Sequence, residues 1–276
     1  MRESIKKIII NFIPPFLTSF LTNLLNNKWR GDYHTWAEAE IKTTGYNDKN
    51  ILNKVHESLY EVKLGKSKYE RDSVLFDEIQ YSWPLLSGIM MAAAKTNGKI
   101  HVLDFGGSLG STYFQNKKFL DCFGDVIWCI VEQYNFVKVG KEDFEDERLK
   151  FYLSIEDCLK EQSINVLILS SVIEYIEKPY EFLENMLLKL NVDYILIDRT
   201  PFINSKEKIV IQTVPSNIYK ASYPCQIFNF NKFKNFFSSN GYTLIEEFDA
   251  IDGKYQEISF KGLIYFREEV LSNNPV

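Results

Sequence analysis

A doubly wound, mainly parallel α/β sheet behind a helical N-terminal preface is the fold this sequence predicts, and three observations predict it. Short apolar runs alternate with helix-compatible segments from Ile100 to Asp198. The first of these runs ends in Asp104-Phe105-Gly106-Gly107-Ser108-Leu109-Gly110, an acid and three glycines at a strand-to-helix turn. Before Ile100 the apolar residues recur at helical spacing. Buried strands separated by crossover helices form parallel sheets because the helices cover both faces.

Taken in order, the uncharged stretch from Ile8 to Asn27 follows Lys6 and Lys7 and is broken by Pro14 and Pro15. Two prolines interrupt a membrane-spanning helix near its middle. Phe16, Leu17, Phe20, Leu21, Leu24 and Leu25 instead form an apolar stripe, opposite Thr18, Ser19, Thr22 and Asn23. The expectation is an amphipathic arm over residues 1–28. It would dock on its own domain, pair two subunits in a homodimer, or lie on a membrane surface with Arg2, Lys6 and Lys7 toward anionic lipid.

Residues 29–98 read as a helical preface from Trp36 to Ala94, with turns at Gly45, Gly65 and Gly98, that does not fold alone and caps the acceptor site. In that domain, residues 99–270, strands are expected at Ile100 to Phe105, Val126 to Glu132, Leu149 to Leu153, Asn165 to Ser170 and Tyr194 to Asp198. Past Thr200 a polar and aromatic loop is expected, including the stretch Asn217 to Tyr223. A helix from Asn231 to Ser239, ended at Gly241, and strands at Tyr242 to Phe248 and Gly262 to Arg267 close the chain.

The 276 residues carry a net charge of −5 with both signs interspersed, so no basic face suits nucleic acid. The four cysteines, Cys122, Cys129, Cys158 and Cys225, lack zinc-type spacing and read as reduced, mostly buried thiols of a cytoplasmic protein. Of the three histidines, His34, His56 and His101, none pairs with a metal-type partner, and no metal site is expected. His101 falls inside the first strand as a sheet residue. His34, in the aromatic stretch from Gly31 to Trp36, is the best histidine base.

The glycine loop carries the functional signal. Glycine takes positive φ and lets a ligand touch the main chain, while the helix that follows presents free N–H groups. Glu132, one βαβ unit downstream at a strand end, can accept hydrogen bonds from ribose hydroxyls. The strand Val166 to Ser170 ends beside the same crevice, bringing Ser170 and Ser171 to it. A nicotinamide dinucleotide site needs glycines where this chain has Gly106, Ser108 and Ser111, and a phosphate-binding P-loop needs a Lys-Ser/Thr pair that is missing.

From Ile100 to Phe266 the chain resembles class I S-adenosylmethionine-dependent methyltransferases, with their Rossmann-like sheet and an antiparallel C-terminal strand. The resemblance implies S-adenosylmethionine as cofactor, held by Gly106, Gly107, Ser108 and Gly110, with Glu132 on its ribose. Asp104 would orient the loop or reach the amino group; Gln133, Ser154, Ser170 and Ser171 complete the cofactor side. Ser108 departs from the glycine often found at its place.

More narrowly, the chain from Trp29 onward is similar to methyltransferases encoded among bacterial surface-polysaccharide genes. The blocks that carry this are Gly45-Tyr46, Tyr69-Glu70-Arg71-Asp72, Asp104 to Gly110, Val131-Glu132-Gln133, Ser170-Ser171, Asp198-Arg199-Thr200-Pro201 and Ser222-Tyr223-Pro224. They imply a hydroxyl of a glycan or glycan precursor as methyl acceptor. Catalytic candidates are Glu174, Tyr175, Asp198 and His34; acceptor-side candidates are Tyr69, Glu70, Arg71, Asp72, Arg199 and Tyr223, with Arg199 anchoring an anionic group. Tyr69 to Asp72 also reads as a solvated helix face, and Ser222 to Pro224 as a loop that closes the site. The alternative from another class is a non-catalytic binding or scaffolding module of a polysaccharide assembly system. A cytoplasmic protein touching the inner membrane surface through its N-terminal helix fits either reading.

Overall fold

The computed structural model describes residues 29–45, 49–214 and 221–267. The expected arm, Tyr46 and the part of the aromatic loop from 217 to 220 lie outside these residues. Five parallel strands form the centre of the sheet: β4 (Lys99–Phe105), β5 (Asp125–Val131), β6 (Leu149–Tyr152), β7 (Val166–Ser170) and β8 (Tyr194–Ile203). β4 lies between β5 and β7, β6 flanks β5, and β8 flanks β7. The chain therefore winds outward from β4 in both directions, and the reversal opens a crevice at the strands' carboxyl ends. β12 (Ile258–Arg267) runs antiparallel along the other edge of β8, and β11 (Tyr242–Tyr255) pairs with β12. The mainly parallel α/β fold with an antiparallel last strand is the one expected.

Helices α4 (Ser111–Leu120), α5 (Tyr134–Asp143), α6 (Ile155–Glu161), α7 (Pro179–Leu190) and α8 (Phe230–Ser239) cover the sheet, with α3 (Trp83–Lys95) from the preface. Side chains alternate across each strand, so the two faces feed separate cores. Val102, Trp128, Ile130 and Ile168 join Tyr113, Phe136 and Leu85 on one side, while Leu103, Cys129, Leu167 and Ile197 meet Cys158, Leu183 and Phe237 on the other. Ile51, Val55 and Leu59 of α2 (Lys49–Lys63) belong to the first core, so preface and sheet share it. Among the described residues no helix is long and apolar enough to cross a membrane.

The preface is not wholly helical. Besides α1 (Trp36–Glu40), α2 and α3 it contributes an edge strand, β1 (Trp29–Tyr33), and a hairpin of β2 (Tyr69–Arg71) and β3 (Val74–Phe76). Asp72 and Ser73 both take positive φ, 51° and 66°, the two-residue turn whose twist matches paired strands. Tyr69 and Glu70, expected on a solvated helix face, are buried in β2 instead, while Val74 and Leu75 face outward.

The second correction lies past Thr200. In place of a loop, β8 continues to Ile203, and β9 (Lys208–Thr213) and β10 (Ser222–Asn229) form an antiparallel pair that β1 extends. β10 joins β8 in parallel at Phe202 and Ile203, beyond the end of β7. These strands have their own small core, Ile203, Val210, Cys225, Ile227, Ile258 and Phe260. Ser222, Tyr223 and Pro224 thus sit on a strand rather than in a loop. The closing strands are also longer than expected: the hairpin runs on past Phe248, whose ring packs over Gly262, to pair Tyr255 with Ile258.

Candidate active site

Two cavities open at the carboxyl ends of the parallel strands and share Gly106, Ser171, Tyr175 and Tyr223. The larger, about 550 Å³, has Glu132, Gln133 and Leu153 at the ends of β5 and β6, and Phe105, Val131, Val172 and Ile176 as apolar wall. The smaller, about 180 Å³, lies over Asp104, Gly107, Ser108, Ser170 and Asp198 and is closed by the β2–β3 hairpin through Glu70, Arg71 and Asp72.

The glycine loop is shaped as its composition predicts. Gly106 and Gly110 take φ of 70° and 108°, and Ser108 follows at 57°. A Cβ on Gly106 would meet Val172 Cγ2 at 2.3 Å, and one on Gly107 would meet Asp104 Cγ at 2.5 Å. Asp104 is buried and accepts a hydrogen bond from Trp128 Nε1 at 3.2 Å. Burial pushes its carboxyl up to about 7 against the pull of that bond. Glu132 is half-buried and accepts from Gln133 N at 2.6 Å; burial raises it to about 6, and its bonds to the backbone of Gln133 and Ser108 work the other way.

Glu70, brought in by β2, accepts from Ser73 N at 3.1 Å and from the Ser111 hydroxyl at the start of α4. Burial raises it to about 7. Tyr69 accepts from Gln115 Nε2 at 3.2 Å, and Arg71 donates to Gln80 Oε1 at 3.0 Å. Arg199, itself at φ 55°, donates through Nη1 and Nη2 to Asp72 and through Nε and Nη2 to Asp252 of β11. Burial opposes its charge, but the two carboxylates outweigh that and keep the guanidinium cationic. Its fork, expected to anchor an anionic substrate, is engaged by two side chains of the protein.

The remaining candidates divide by position. Tyr175 stands at the junction of the cavities, its ring edge-on to Tyr223 at 5.3 Å and its hydroxyl donating to Gln212 Oε1 at 2.7 Å. Ser171, at φ 50°, donates from Oγ to Glu174 Oε1 at 3.2 Å. Glu174 lies beneath the walls, fully buried with Oε2 unpaired, and burial raises it to about 8. Asp198 is buried at the smaller cavity and accepts from Arg199 N at 2.8 Å; burial raises it too, against a bond from Ser82.

Three candidates stand apart. Gly110 lines neither cavity, and its open side faces Leu149 and Ile130 instead. His34 is exposed and belongs to neither wall. Ser154 caps α6, accepting from Asp157 N, and its neighbour Leu153 lines the larger cavity instead. Sequence reasoning missed Trp36, Glu40, Thr43, Gln80, Gln115 and Ile251 as wall residues. Trp36 alone carried a signal, standing in the aromatic stretch already singled out for His34.

Neither a family model nor a curated protein sequence matches the chain. Solved structures do. The N-terminal domain of EvdMO1 with SAH bound is similar over 68% of this chain and 82% of its own, at 9% identity and a TM-score of 0.46. The 1,6-didemethyltoxoflavin-N1-methyltransferase of Burkholderia thailandensis, with bound 1,6-didemethyltoxoflavin and S-adenosylhomocysteine, is similar over 81% and 92%, at 10% identity and 0.42. Magnesium protoporphyrin IX methyltransferase from Synechocystis PCC 6803, with bound SAM, is similar over 82% and 100%, at 11% identity and 0.43.

Proposed function

We propose that the chain is an S-adenosylmethionine-dependent methyltransferase whose acceptor is a hydroxyl of a glycan or glycan precursor. One observation carries the cofactor: the glycine loop and Glu132 flank a pair of neighbouring cavities at the switch point of the sheet. Gly106, Gly107, Ser108 and Gly110 would hold the methionine portion with Asp104, and Glu132 and Gln133 the ribose. Ser170 and Ser171 border the same space. The cofactor supplies an activated methyl group; the chain aligns the acceptor with it and excludes water.

Tyr175 and Tyr223, where the cavities meet, are the acceptor-side residues this reading favours, with Glu70, Arg71 and Asp198 around the smaller cavity. The glycan assignment rests on the resemblance of the sequence blocks, a cytoplasmic setting on the reading of the cysteines, and membrane contact on the apolar stripe and basic residues of the arm. Calorimetry with S-adenosylmethionine and S-adenosylhomocysteine tests the cofactor, and no binding of either by the folded protein refutes it.

A non-catalytic binding module is the second reading. It is favoured by the engagement of the candidate bases: Tyr175 with Gln212, Asp198 with Arg199 N, and Glu174 beneath the wall. Cofactor binding without methyl transfer to any component of a cell extract supports it, and turnover with such an extract eliminates it.

A further inference from the structure

The larger cavity has a floor and a roof of different origin. The floor is the sheet: Phe105, Val131, Leu153, Val172 and Ile176 offer apolar surface, and Glu132 with Gln133 a polar end. Leu153 is a large apolar side chain left 53% exposed there. The roof comes from the preface, where Trp36 of α1 and the turn after it, through Thr43 and Gly45, complete the wall. That turn is latched to β10: Thr44 N and Gly45 N donate to Ser222 O at 3.2 and 3.1 Å, and Ser222 N donates to Thr44 Oγ1 at 2.9 Å.

We propose that Trp36 is a ligand-binding residue, the aromatic roof of a subsite for a purine nucleoside. A purine nucleoside presents flat apolar faces and a ribose diol, and the cavity offers an indole and aliphatic side chains beside the carboxylate of Glu132, with Glu40 as a second carboxylate in its wall. The proposal rests on the cofactor reading and adds to it that 29–45, expected to cap the acceptor, covers the nucleoside half of the cofactor. The sheet domain without this segment has an incomplete site.

The test uses the full chain, with adenosine and S-adenosylhomocysteine as probes, calorimetry for Kd and tryptophan emission for stacking. Wild-type protein binds both probes with quenched emission. W36A weakens both at least tenfold, by a similar factor, because the lost contact is to their common nucleoside. W36F keeps affinity within about threefold and loses most of the quench. Trp29, Trp83 and Trp128 also emit, and the W36F comparison isolates the part of the quench that belongs to Trp36. W36A that is folded by circular dichroism and binds S-adenosylhomocysteine like wild type overturns the proposal, as does a W36F protein with undiminished quench. Wild-type binding of adenosine without S-adenosylhomocysteine would instead sink the cofactor reading and leave the nucleoside subsite standing.

Discussion

Arg199 grips Asp72 at two points, Nη2 to Oδ2 at 2.6 Å and Nη1 to Oδ1 at 3.2 Å, across 127 residues of chain. Planar, bidentate pairing of this kind is geometrically specific as well as strong. Because Nε and Nη2 also hold Asp252, one guanidinium ties the preface hairpin to β11 over the smaller cavity.

The two carboxylates are unequal partners, Asp72 being 55% exposed at its side chain and Asp252 25%. Arg199→Ala leaves Asp252 without this partner in a partly buried place and is expected to destabilise by about 2–3 kcal/mol. Asp72→Asn weakens a charge pair at an exposed carboxylate and is expected to cost under about 1 kcal/mol. Urea unfolding of both variants checks the order. Arg199→Lys should recover little, since an ammonium cannot reproduce the two forks.

Gly106→Ala should remove cofactor binding and lower stability. Its φ is 70°, and the new methyl would strike Val172 Cγ2, a branched side chain with little freedom to move. Left-handed backbone costs about 1 kcal/mol for alanine before the clash is counted. Gly124 has nothing within 4 Å of its would-be Cβ, and Gly124→Ala is the matched control, expected to bind the cofactor like wild type.

The loop was legible from sequence for the reason that makes it sensitive. A residue pattern shows through when the backbone itself must be unusual, and Asp104 to Gly110 is such a place. Tyr69 to Asp72 shows the opposite case. Four polar or aromatic residues in a row read as solvated, yet pairing in β2 turns Glu70 inward against Ser111 and Ser73. β9 and β10 were missed because Ile209, Val210 and Ile211 form a short run among polar residues, and their core is shared with Phe260 and Ile258 far along the chain. Leu153 and Trp36 line the cavity through the way strands and preface meet, which local pattern does not encode.

Buried carboxyls make stability depend on pH in a direction that can be stated. Glu174 is raised to about 8 and Asp104 to about 7, both by burial, from ordinary carboxylate values near 4. Between the unfolded and folded values the native state holds protons the unfolded chain has lost, so stability falls as pH rises. The loss runs from about pH 4 to about pH 8, at up to about 1.4 kcal/mol per pH unit for each group. Facing Glu174 are Ser171 and Arg199, which favour its charge, and Asp252, Tyr175 and Cys225, which do not. Glu174→Gln should remove about one proton from the slope. Chemical denaturation at pH 5, 6.5 and 8 reads it, and equal slopes in wild type and variant would show that Glu174 does not titrate there.

Glu132 separates binding from stability. Its carboxylate accepts from Gln133 N and stands at the polar end of the larger cavity, where a ribose diol would donate to it. A charge-assisted hydrogen bond contributes about 1.5–3 kcal/mol, so Glu132→Gln is expected to weaken S-adenosylhomocysteine binding about 10- to 100-fold at pH 7.5. Burial holds the group up at about 6, so it is charged at pH 7.5 and becomes neutral as pH falls through that value. Wild-type affinity should therefore drop more between pH 7 and pH 5 than that of the glutamine variant, which lacks this titration. The comparison isolates Glu132 from Asp104 and Glu70, whose own titrations would bend both curves alike. Calorimetric Kd values at four pH points decide it, and parallel curves for the two proteins would remove Glu132 from the ribose.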